Sequence, residues 1–172
     1  PLIIGGQAIY TDKTIKVTMP HDHSHVIAEC CIAGEKELKM AVDSALAAKE
    51  EWESMPWEHR SAIFLKAADH ITNSYRPVLN ASTMLGQSKT VFQAEIDIAE
   101  LADFLRFGVW SAQEIFKDQP SSSAGIWNRQ DYRPLDGFIC AITPFNFTSI
   151  GGNLATAPAI MGNVAVWKPS RT

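Results

Sequence analysis

The fold is decided by residues 138–170, which read FICAITPFNFTSIGGNLATAPAIMGNVAVWKPS. Two short, largely apolar runs, residues 138–142 and 163–167, flank a segment, residues 149–161, that is long enough for one apolar helix. Strands buried on both faces of a sheet have this continuous apolar character. A strand, a helix and a second strand in this order predict a right-handed βαβ unit of a parallel sheet.

The same stretch lies within a longer segment, residues 137–167, that contains no charged residue. A membrane-spanning helix would share that composition. Here, however, prolines, glycines and asparagines interrupt the segment, and hydrocarbon would leave their backbone and amide groups without hydrogen-bond partners. We therefore expect burial inside protein and no membrane association.

Upstream of this unit the sequence predicts a strand-rich start followed by helices. Over the first thirty-odd residues, short apolar runs alternate with turn signals, at Gly5-Gly6 and around residues 21–25. From Glu35 the apolar spacing becomes helical, and Pro56 stands where a second helix would begin. Four helices are expected here, beginning near residues 35, 56, 78 and 90.

The chain divides into three predicted parts. Residues 1–118 hold the first strands and the four helices. Residues 119–136 form a Pro-, Ser- and Gly-rich connecting loop and an exposed strand, residues 125–135, with alternating side chains. Residues 137–172 form the βαβ unit, which is incomplete because a two-stranded sheet is not stable alone. Further strands are expected from outside this chain or after Thr172.

Composition excludes several classes of function. Among 172 residues, 15 Lys and Arg against 19 Asp and Glu give a net charge of -4, and no basic cluster is present. Nucleic acid or an anionic membrane surface is therefore not an expected partner. Three cysteines without CxxC spacing argue against a disulfide framework and a thiolate zinc site and favour a reducing compartment.

The alternating histidines of residues 21–25 invite a metal hypothesis. No fourth ligand is evident nearby, so we favour a polar turn and predict no metal site. Cys140 falls inside a predicted buried strand with no neighbouring base in the sequence. We interpret it as a small core residue rather than a nucleophile.

Polar groups follow both strands of the predicted βαβ unit, where open parallel sheets bind ligands. Thr143 to Asn146 follow the first strand, and Lys168 to Ser170 follow the second. An Asn amide can donate a hydrogen bond to a developing oxyanion, and a Lys can contact ribose hydroxyls or phosphate. From spacing alone, an Asn that caps a turn and a Lys that ends a strand remain the simpler interpretation. No glycine-rich phosphate loop is present.

The predicted long helix carries a mostly acidic face formed by Glu95, Asp97, Glu100 and Asp103. Such a face is normally just solvated. A carboxylate such as that of Glu100 could instead turn toward a cationic group of a substrate, and the sequence alone leaves both alternatives open.

The residues themselves resemble a known family. PFN at residues 144–146, GNVAV at 162–166 and KPS at 168–170 resemble the signature region of the aldehyde dehydrogenase superfamily. Four further stretches resemble, more narrowly, the branch that oxidises L-glutamate γ-semialdehyde. They are FLKAADHI from Phe64, TMLGQSKTVFQAEID from Thr83, ELADFLRF from Glu100 and NRQDYRPLDGF from Asn128. The resemblance extends over essentially the whole chain.

The resemblance implies the N-terminal part of an α/β aldehyde dehydrogenase fold. Residues 1–118 would then include the helical part of the cofactor-binding domain, and residues 137–172 the first βαβ unit of a Rossmann-like sheet. The implied activity is NAD-dependent oxidation of glutamate semialdehyde to glutamate, in proline catabolism, in the mitochondrial matrix. The implied partners are a small aldehyde and further copies of the full enzyme, assembled through residues of about 125–135.

The resemblance also assigns site residues. Asn146 matches the amide that stabilises the oxyanion, and Phe147 matches an aromatic residue that lines the aldehyde channel. Glu100 matches the acid that meets the ammonium group of the substrate. The cofactor-contacting positions are Thr143, Lys168 and Ser170.

Some positions depart from the family pattern. The segment between Glu95 and Glu100 is one residue shorter, which would rotate the preceding helix by about 100 degrees unless a bulge absorbs the change. Ser88 and Thr156 stand where the family usually has Gly. Arg171 stands where an acidic residue commonly binds the adenosine ribose, which would favour NADP, although the resemblance makes NAD the expected cofactor.

The family's nucleophilic Cys and general-base Glu lie beyond the position that matches Thr172. We therefore expect residues 1–172 to be inactive by themselves. The alternative is a short, non-catalytic remnant that serves as a structural or interaction subunit and pairs its strands with another protein.

Overall fold

The structure is a computed structural model that describes residues 1–170. Within that range the order of elements is a strand-rich start, four helices and a βαβ unit, as the sequence predicts. The elements are β1 Leu2–Ile4, β2 Gln7–Ile9, β3 Thr14–Met19, β4 Asp22–Cys31, α1 Glu35–Ser54, α2 Trp57–Thr72, α3 Arg76–Gln87, α4 Val91–Lys117, β5 Ile139–Ile142, α5 Thr148–Ile160 and β6 Ala165–Lys168.

Two antiparallel hairpins open the chain. The turn between β1 and β2 needs left-handed backbone at two positions, and Gly5 and Gly6 supply it with φ of 56° and 74°. In the second hairpin Met19 pairs with Asp22, so the turn is Pro20-His21. The predicted turn at residues 21–25 is therefore wrong, because an exposed strand such as β4 accepts polar side chains on its solvent face. In residues 1–170, no three His, Cys, Asp or Glu side chains are grouped as a metal site would require.

The long helix α4 begins at a reciprocal cap. The Thr90 hydroxyl accepts a hydrogen bond from the backbone N–H of Gln93, and the Gln93 side chain accepts one from the backbone N–H of Thr90. The helix is continuous for 27 residues, and its buried positions follow one face through residues 95–100. No bulge is needed there, so Glu100 keeps the direction that a regular helix gives it.

The core lies where α2, α4 and α5 meet. Its buried apolar residues are Phe64, Ala68, Ala102, Leu105, Ala112 and Ile160. Small residues let α4 and α5 approach closely, since a Cβ on Gly152 would lie 2.5 Å from a methyl group of Leu101. This contact fixes the position of the first turns of α5 against α4.

The buried side chain of Arg60 joins the ends of two helices. Its guanidinium donates to the backbone carbonyls of Trp52, Glu53 and Met55, at the end of α1. It also donates to the carbonyl of Ile160, the last residue of α5. Carbonyl groups at helix ends lack partners within their own helix, and a single cation here satisfies both sets.

Strands β5 and β6 are parallel, with Ile139 opposite Ala165 and Ile142 opposite Lys168. Ala141 is 4% exposed, whereas Ile142 is 65% exposed and Cys140 is also exposed. Within residues 1–170 the face of β5 that carries Ala141 is thus buried and the face that carries Cys140 and Ile142 is exposed, so the prediction of a buried Cys140 is wrong here. Successive side chains of a strand point to opposite faces, so Cys140 and Ile142 lie on the same, exposed face of β5.

The exposed strand predicted for residues 125–135 is not formed within the chain. An isolated bridge joins Ser123 to Ile126, and beyond it the segment is irregular. The backbone N–H groups of Asn128 and Gln130 donate instead to the side chains of Ser122 and Gln119. A strand needs a neighbour to complete its ladder of hydrogen bonds, and the described part of this chain offers none. No helix within residues 1–170 is long and apolar enough to cross a membrane.

Candidate functional site

The predicted site residues gather where β5 and β6 end. The backbone N–H of Thr143 donates to the carbonyl of Lys168 over 3.2 Å, which joins the two strands at their carboxyl ends. Thr143 is 6% exposed, whereas Asn146 and Lys168 are exposed. The structure therefore places the two candidate cofactor contacts, Thr143 and Lys168, next to each other, as the parallel register predicts.

Asn146 lies in the short loop between β5 and α5. Its backbone is held by a side chain from the connection between α3 and α4. The ammonium group of Lys89 donates to the carbonyl oxygen of Asn146 over 2.7 Å. The side-chain amide of Asn146, by contrast, makes no hydrogen bond within residues 1–170. An amide that is fixed through its backbone and free at its side chain is suited to donate to an external oxygen atom.

The first turn of α5 is capped by Asp97 of α4 rather than by a residue of its own chain segment. The carboxylate of Asp97 accepts from the backbone N–H of Thr148 and of Ser149, both over 2.9 Å. It also accepts from Lys89 over 2.8 Å. Helix N-termini attract anions because their first N–H groups lack partners, and here a carboxylate of the protein already occupies that position.

The pKa of Asp97 reflects this setting. Burial by itself raises the pKa of the carboxyl group, but the hydrogen bonds from Lys89, Ser149 and Thr148 outweigh it and hold the pKa below the ordinary value. Asp97 is thus a charged carboxylate at neutral pH although it is 2% exposed. A buried charge of this kind is stable only while its partners remain in place.

Phe147 and Glu100 flank the same turn of α5. The ammonium group of Lys89 lies 4.4 Å from the centre of the Phe147 ring, a cation–π contact. The buried hydroxyl of Ser149 donates to Glu100 over 2.9 Å. The Glu100 side chain itself is exposed, so its carboxylate remains accessible to a cationic group.

Thr148 links this turn to α3. Its hydroxyl lies 2.9 Å from the hydroxyl of Thr83 and accepts a hydrogen bond from the Gln87 amide, also over 2.9 Å. The helices α3 and α4, together with Lys89 in the connection between them, therefore hold residues 146–148. The arrangement presents an amide and a carboxylate to the outside on a hydrogen-bonded support.

Sequence reasoning missed three residues of this support, namely Lys89, Asp97 and Ser149. Asp97 was grouped with a solvated acidic face, and nothing near it in sequence marks it as a cap. Its partners lie 51 and 52 residues further along the chain. The sequence does contain one indication of such a cap. The first turn of α5 has no acidic residue of its own, so its free backbone N–H groups need an acceptor from another part of the chain.

The structure accommodates Ser88 and Thr156, the two residues that the resemblance sets at positions where the family usually has Gly. Ser88 adopts a left-handed φ of 53° at the end of α3, and its hydroxyl lies 2.6 Å from a ring nitrogen of His21. Thr156 lies inside α5, where its hydroxyl donates back to the carbonyl of Gly152 over 3.1 Å. Arg171, which would bear on the choice between NAD and NADP, lies outside the described residues, and Ser170 is half-buried beside the end of β6.

Comparison with known proteins identifies this arrangement. The sequence profile of the aldehyde dehydrogenase family matches residues 9–172, which is nearly the whole chain. The chain belongs to the aldehyde dehydrogenase family. The predicted resemblance is therefore confirmed, and the open sheet and the loop of Asn146 are parts of an aldehyde dehydrogenase fold.

Individual members of the aldehyde dehydrogenase family show which enzymes this chain is similar to. The chain is 52% identical to the Delta-1-pyrroline-5-carboxylate dehydrogenase of Agaricus bisporus, covering 99% of this chain and 32% of that protein. It is 53% identical to the mitochondrial enzyme of the same name from Dictyostelium discoideum, covering 100% of this chain and 31% of that protein. The chain thus spans about one third of the length of these relatives.

Solved structures of the family give the same result for the fold. The NAD-bound Delta-pyrroline-5-carboxylate dehydrogenase of Mycobacterium tuberculosis superimposes with a TM-score of 0.94 at 51% identity, over 98% of this chain and 32% of that one. An NAD-bound 1-pyrroline-5-carboxylate dehydrogenase from Thermus superimposes with a TM-score of 0.89 at 28% identity, over 99% of this chain and 33% of that one. These matches confirm the predicted N-terminal part of the aldehyde dehydrogenase fold.

Proposed function

We propose that the protein containing this chain oxidises L-glutamate γ-semialdehyde to L-glutamate with NAD, in proline catabolism. The observation that carries the proposal is the free side-chain amide of Asn146, whose backbone is held by Lys89 beside the first turn of α5. The similarity at about half of all positions to dehydrogenases named for pyrroline-5-carboxylate supports the choice of substrate.

In this proposal Asn146 stabilises negative charge on the aldehyde oxygen. When a nucleophile adds to the aldehyde carbon, the carbonyl oxygen gains charge, and an amide N–H that is already oriented toward it stabilises the transition state more than the ground state. Phe147, which is partly exposed next to Asn146, supplies an apolar wall beside the reacting carbon.

Glu100 is proposed to bind the ammonium group of the substrate. Ser149 contacts one carboxylate oxygen of Glu100, and the exposed side chain leaves the other oxygen accessible. An ion pair between a carboxylate and an ammonium group orients a zwitterionic substrate at its far end. The charged end of glutamate semialdehyde would thus be fixed while its aldehyde group lies near Asn146.

NAD supplies the hydride acceptor when it is bound. The residues at the carboxyl edge of β5 and β6 fit such a cofactor, because Lys168 is exposed and its ammonium group has no hydrogen bond or ion pair within residues 1–170. We propose that Lys168 donates to ribose hydroxyls, with Thr143 and Ser170 as neighbouring contacts. Two of the superimposed structures contain bound NAD, which supports NAD over NADP.

By the family resemblance, we expect the nucleophilic cysteine and the general base to lie outside residues 1–172. We therefore propose that these residues supply the oxyanion, substrate and cofactor contacts but do not turn over substrate by themselves. Each proposed part of the chain then has a role in the larger enzyme. Residues 1–118 would be the helical support, residues 119–136 the connecting segment, and residues 137–172 the edge that contacts the cofactor.

The experiment uses the longest reading frame that contains this sequence. The purified product is assayed for NADH formation with glutamate semialdehyde, and the Asn146→Ala and Glu100→Gln variants are compared with it. Removal of an oxyanion donor is expected to lower kcat on the order of 100-fold. Glu100→Gln is expected mainly to raise KM, since it removes binding that ground state and transition state share. Absence of turnover in a frame of full family length would overturn the proposal and favour the non-catalytic subunit.

Location and assembly are part of the same proposal. Several relatives of this sequence are named as mitochondrial, among them the Dictyostelium discoideum and Mus musculus enzymes, which supports a mitochondrial location. Self-association through residues of about 125–135 would give that irregular segment the neighbouring strand that it lacks within the chain.

A further inference from the structure

The ammonium group of Lys89 is the point at which three parts of the site meet. It lies 2.8 Å from a carboxylate oxygen of Asp97, 2.7 Å from the backbone carbonyl of Asn146 and 4.4 Å from the centre of the Phe147 ring. The Lys89 side chain is 16% exposed and that of Asp97 is 1% exposed. Charge-assisted hydrogen bonds in such a partly dry setting are among the strongest in proteins.

Capping of α5 does not by itself explain Lys89. Asp97 alone satisfies the N–H groups of Thr148 and Ser149, and a solvated carboxylate could do the same. The bond from Lys89 to Asn146 adds nothing to that cap. Instead it fixes the peptide group of Asn146, whose side-chain amide makes no hydrogen bond within residues 1–170, and the contact with Phe147 fixes the neighbouring ring.

We propose that Lys89 and Asp97 are positioning residues that set the direction of the Asn146 amide and the Phe147 ring for aldehyde oxidation. The inference rests on the proposed function. Asp97 holds Lys89 and the first turn of α5 together, and Lys89 transmits that geometry to Asn146 through its carbonyl oxygen. Neither side chain needs to contact substrate or cofactor.

The effect should be on the chemical step. A misplacement of about 1 Å in a group that stabilises a transition state can cost on the order of 100-fold in rate. Loss of the Lys89 contact leaves Asn146 tethered by its chain neighbours, so we expect a smaller loss in kcat of about tenfold, with KM changed much less. A purely structural ion pair would lower stability without this separation of kcat from KM.

The test uses Lys89→Met in the longest reading frame that contains this chain. Lys49→Met is the matched control, because Lys49 also forms a partly exposed ion pair, with Glu53 over 2.6 Å, on α1 away from the site. Two readouts are combined. Hydrogen exchange follows the backbone amides of residues 143–150, and kcat and KM are measured with glutamate semialdehyde and with propanal, in the native and Asn146→Ala backgrounds.

Because Lys89 also holds the carboxylate of Asp97 in place, Lys89→Met is expected to speed exchange at Thr148 and Ser149 on the order of tenfold, while Lys49→Met leaves those amides unchanged. It should lower kcat about tenfold in the native background but less than about twofold when Asn146 is already Ala, because both changes then act on one lost interaction. Equal losses in both backgrounds, or unchanged exchange at residues 143–150, would overturn the positioning role.

Failure of the proposed function is separable from failure of this inference. Oxidation of propanal without oxidation of glutamate semialdehyde would show that glutamate semialdehyde is not the substrate. The kinetic comparison then proceeds with propanal. If neither aldehyde is oxidised, the proposed function fails and hydrogen exchange alone decides whether Lys89 holds residues 143–150. If Lys89→Met does not fold, Lys89→Arg replaces it under the same criteria, since it keeps the charge but not the compact three-way contact.

Discussion

The junction of α4 with α5 and the sheet of β5 and β6 differ in how completely this chain satisfies them. At the junction, the buried carboxylate of Asp97 has three hydrogen-bond donors from the chain itself. In the sheet, Cys140 and Ile142 share one face of β5 and remain exposed. The support for Asn146 is therefore built within this third of the family's length, whereas the sheet beneath the cofactor edge needs further elements.

The largest expected effect comes from breaking the junction. Asp97→Ala leaves Lys89 unpaired and two backbone N–H groups without an acceptor, in surroundings largely closed to water. Removing one partner of a buried ion pair typically costs about 3–5 kcal/mol. Urea unfolding of the longest reading frame that contains the chain measures the loss. Asp97→Asn, which keeps an acceptor oxygen but loses the charge, is the control and should cost less, and equal losses would show that the retained acceptor contributes nothing to the junction.

The sheet offers the matching test on the uncovered face. Ile142→Ser is expected to lower the free energy of unfolding by about 2 kcal/mol in the longest reading frame, because further elements of the fold should bury this side chain there. The comparison variant is Ala141→Ser, on the face that α5 already covers, which shows how much stability a hydroxyl costs at a position that is buried within this chain. A change below about 0.5 kcal/mol for Ile142→Ser, typical of a surface position, would mean that the face stays open.

A closer test of the junction uses two neighbouring glycines of α5. A Cβ on Gly152 would lie 2.5 Å from Leu101, whereas a Cβ on Gly151 would meet no atom within 4 Å. Overpacking costs about 1–3 kcal/mol, and the gain in helix propensity offsets part of it, so Gly152→Ala should destabilise by about 1 kcal/mol. Gly151→Ala should stabilise slightly. Thermal unfolding of both variants measures the difference, and equal shifts in Tm would contradict the close approach of α4 and α5.

The smallest expected effect is the dependence of stability on pH. The pKa of Asp97 is lower in the folded state than its ordinary value of 3.8. Its contribution is therefore fully present above that value and is lost as the pH falls through the folded-state pKa. Urea midpoints measured from pH 7 downward should show a decline below about pH 4 that is weaker in Asp97→Asn. An identical decline in both proteins would assign the pH dependence to other carboxylates.

Local patterns in the sequence predict the helices, the βαβ unit and the meeting of Thr143 with Lys168, because strand order and parallel register fix which residues share an edge. The junction could not be predicted in this way. Lys89 and Asn146 are 57 residues apart, and their contact depends on how α4 packs against α5. Alternation alone predicted a strand at residues 125–135, but a strand also requires a partner, which the described residues do not contain.

Arg60 bears on the order in which such a protein folds during synthesis. Its partner Ile160 follows it by 100 residues, so Arg60 leaves the ribosome long before the end of α5 exists. Until then its guanidinium can bind the carbonyls at the end of α1 but not those of α5, and Phe64 and Ala68 lack the α5 side of their core. The helical half of the chain thus acquires its final stability only after the βαβ unit has been translated, and this delay exposes its apolar faces to chaperones.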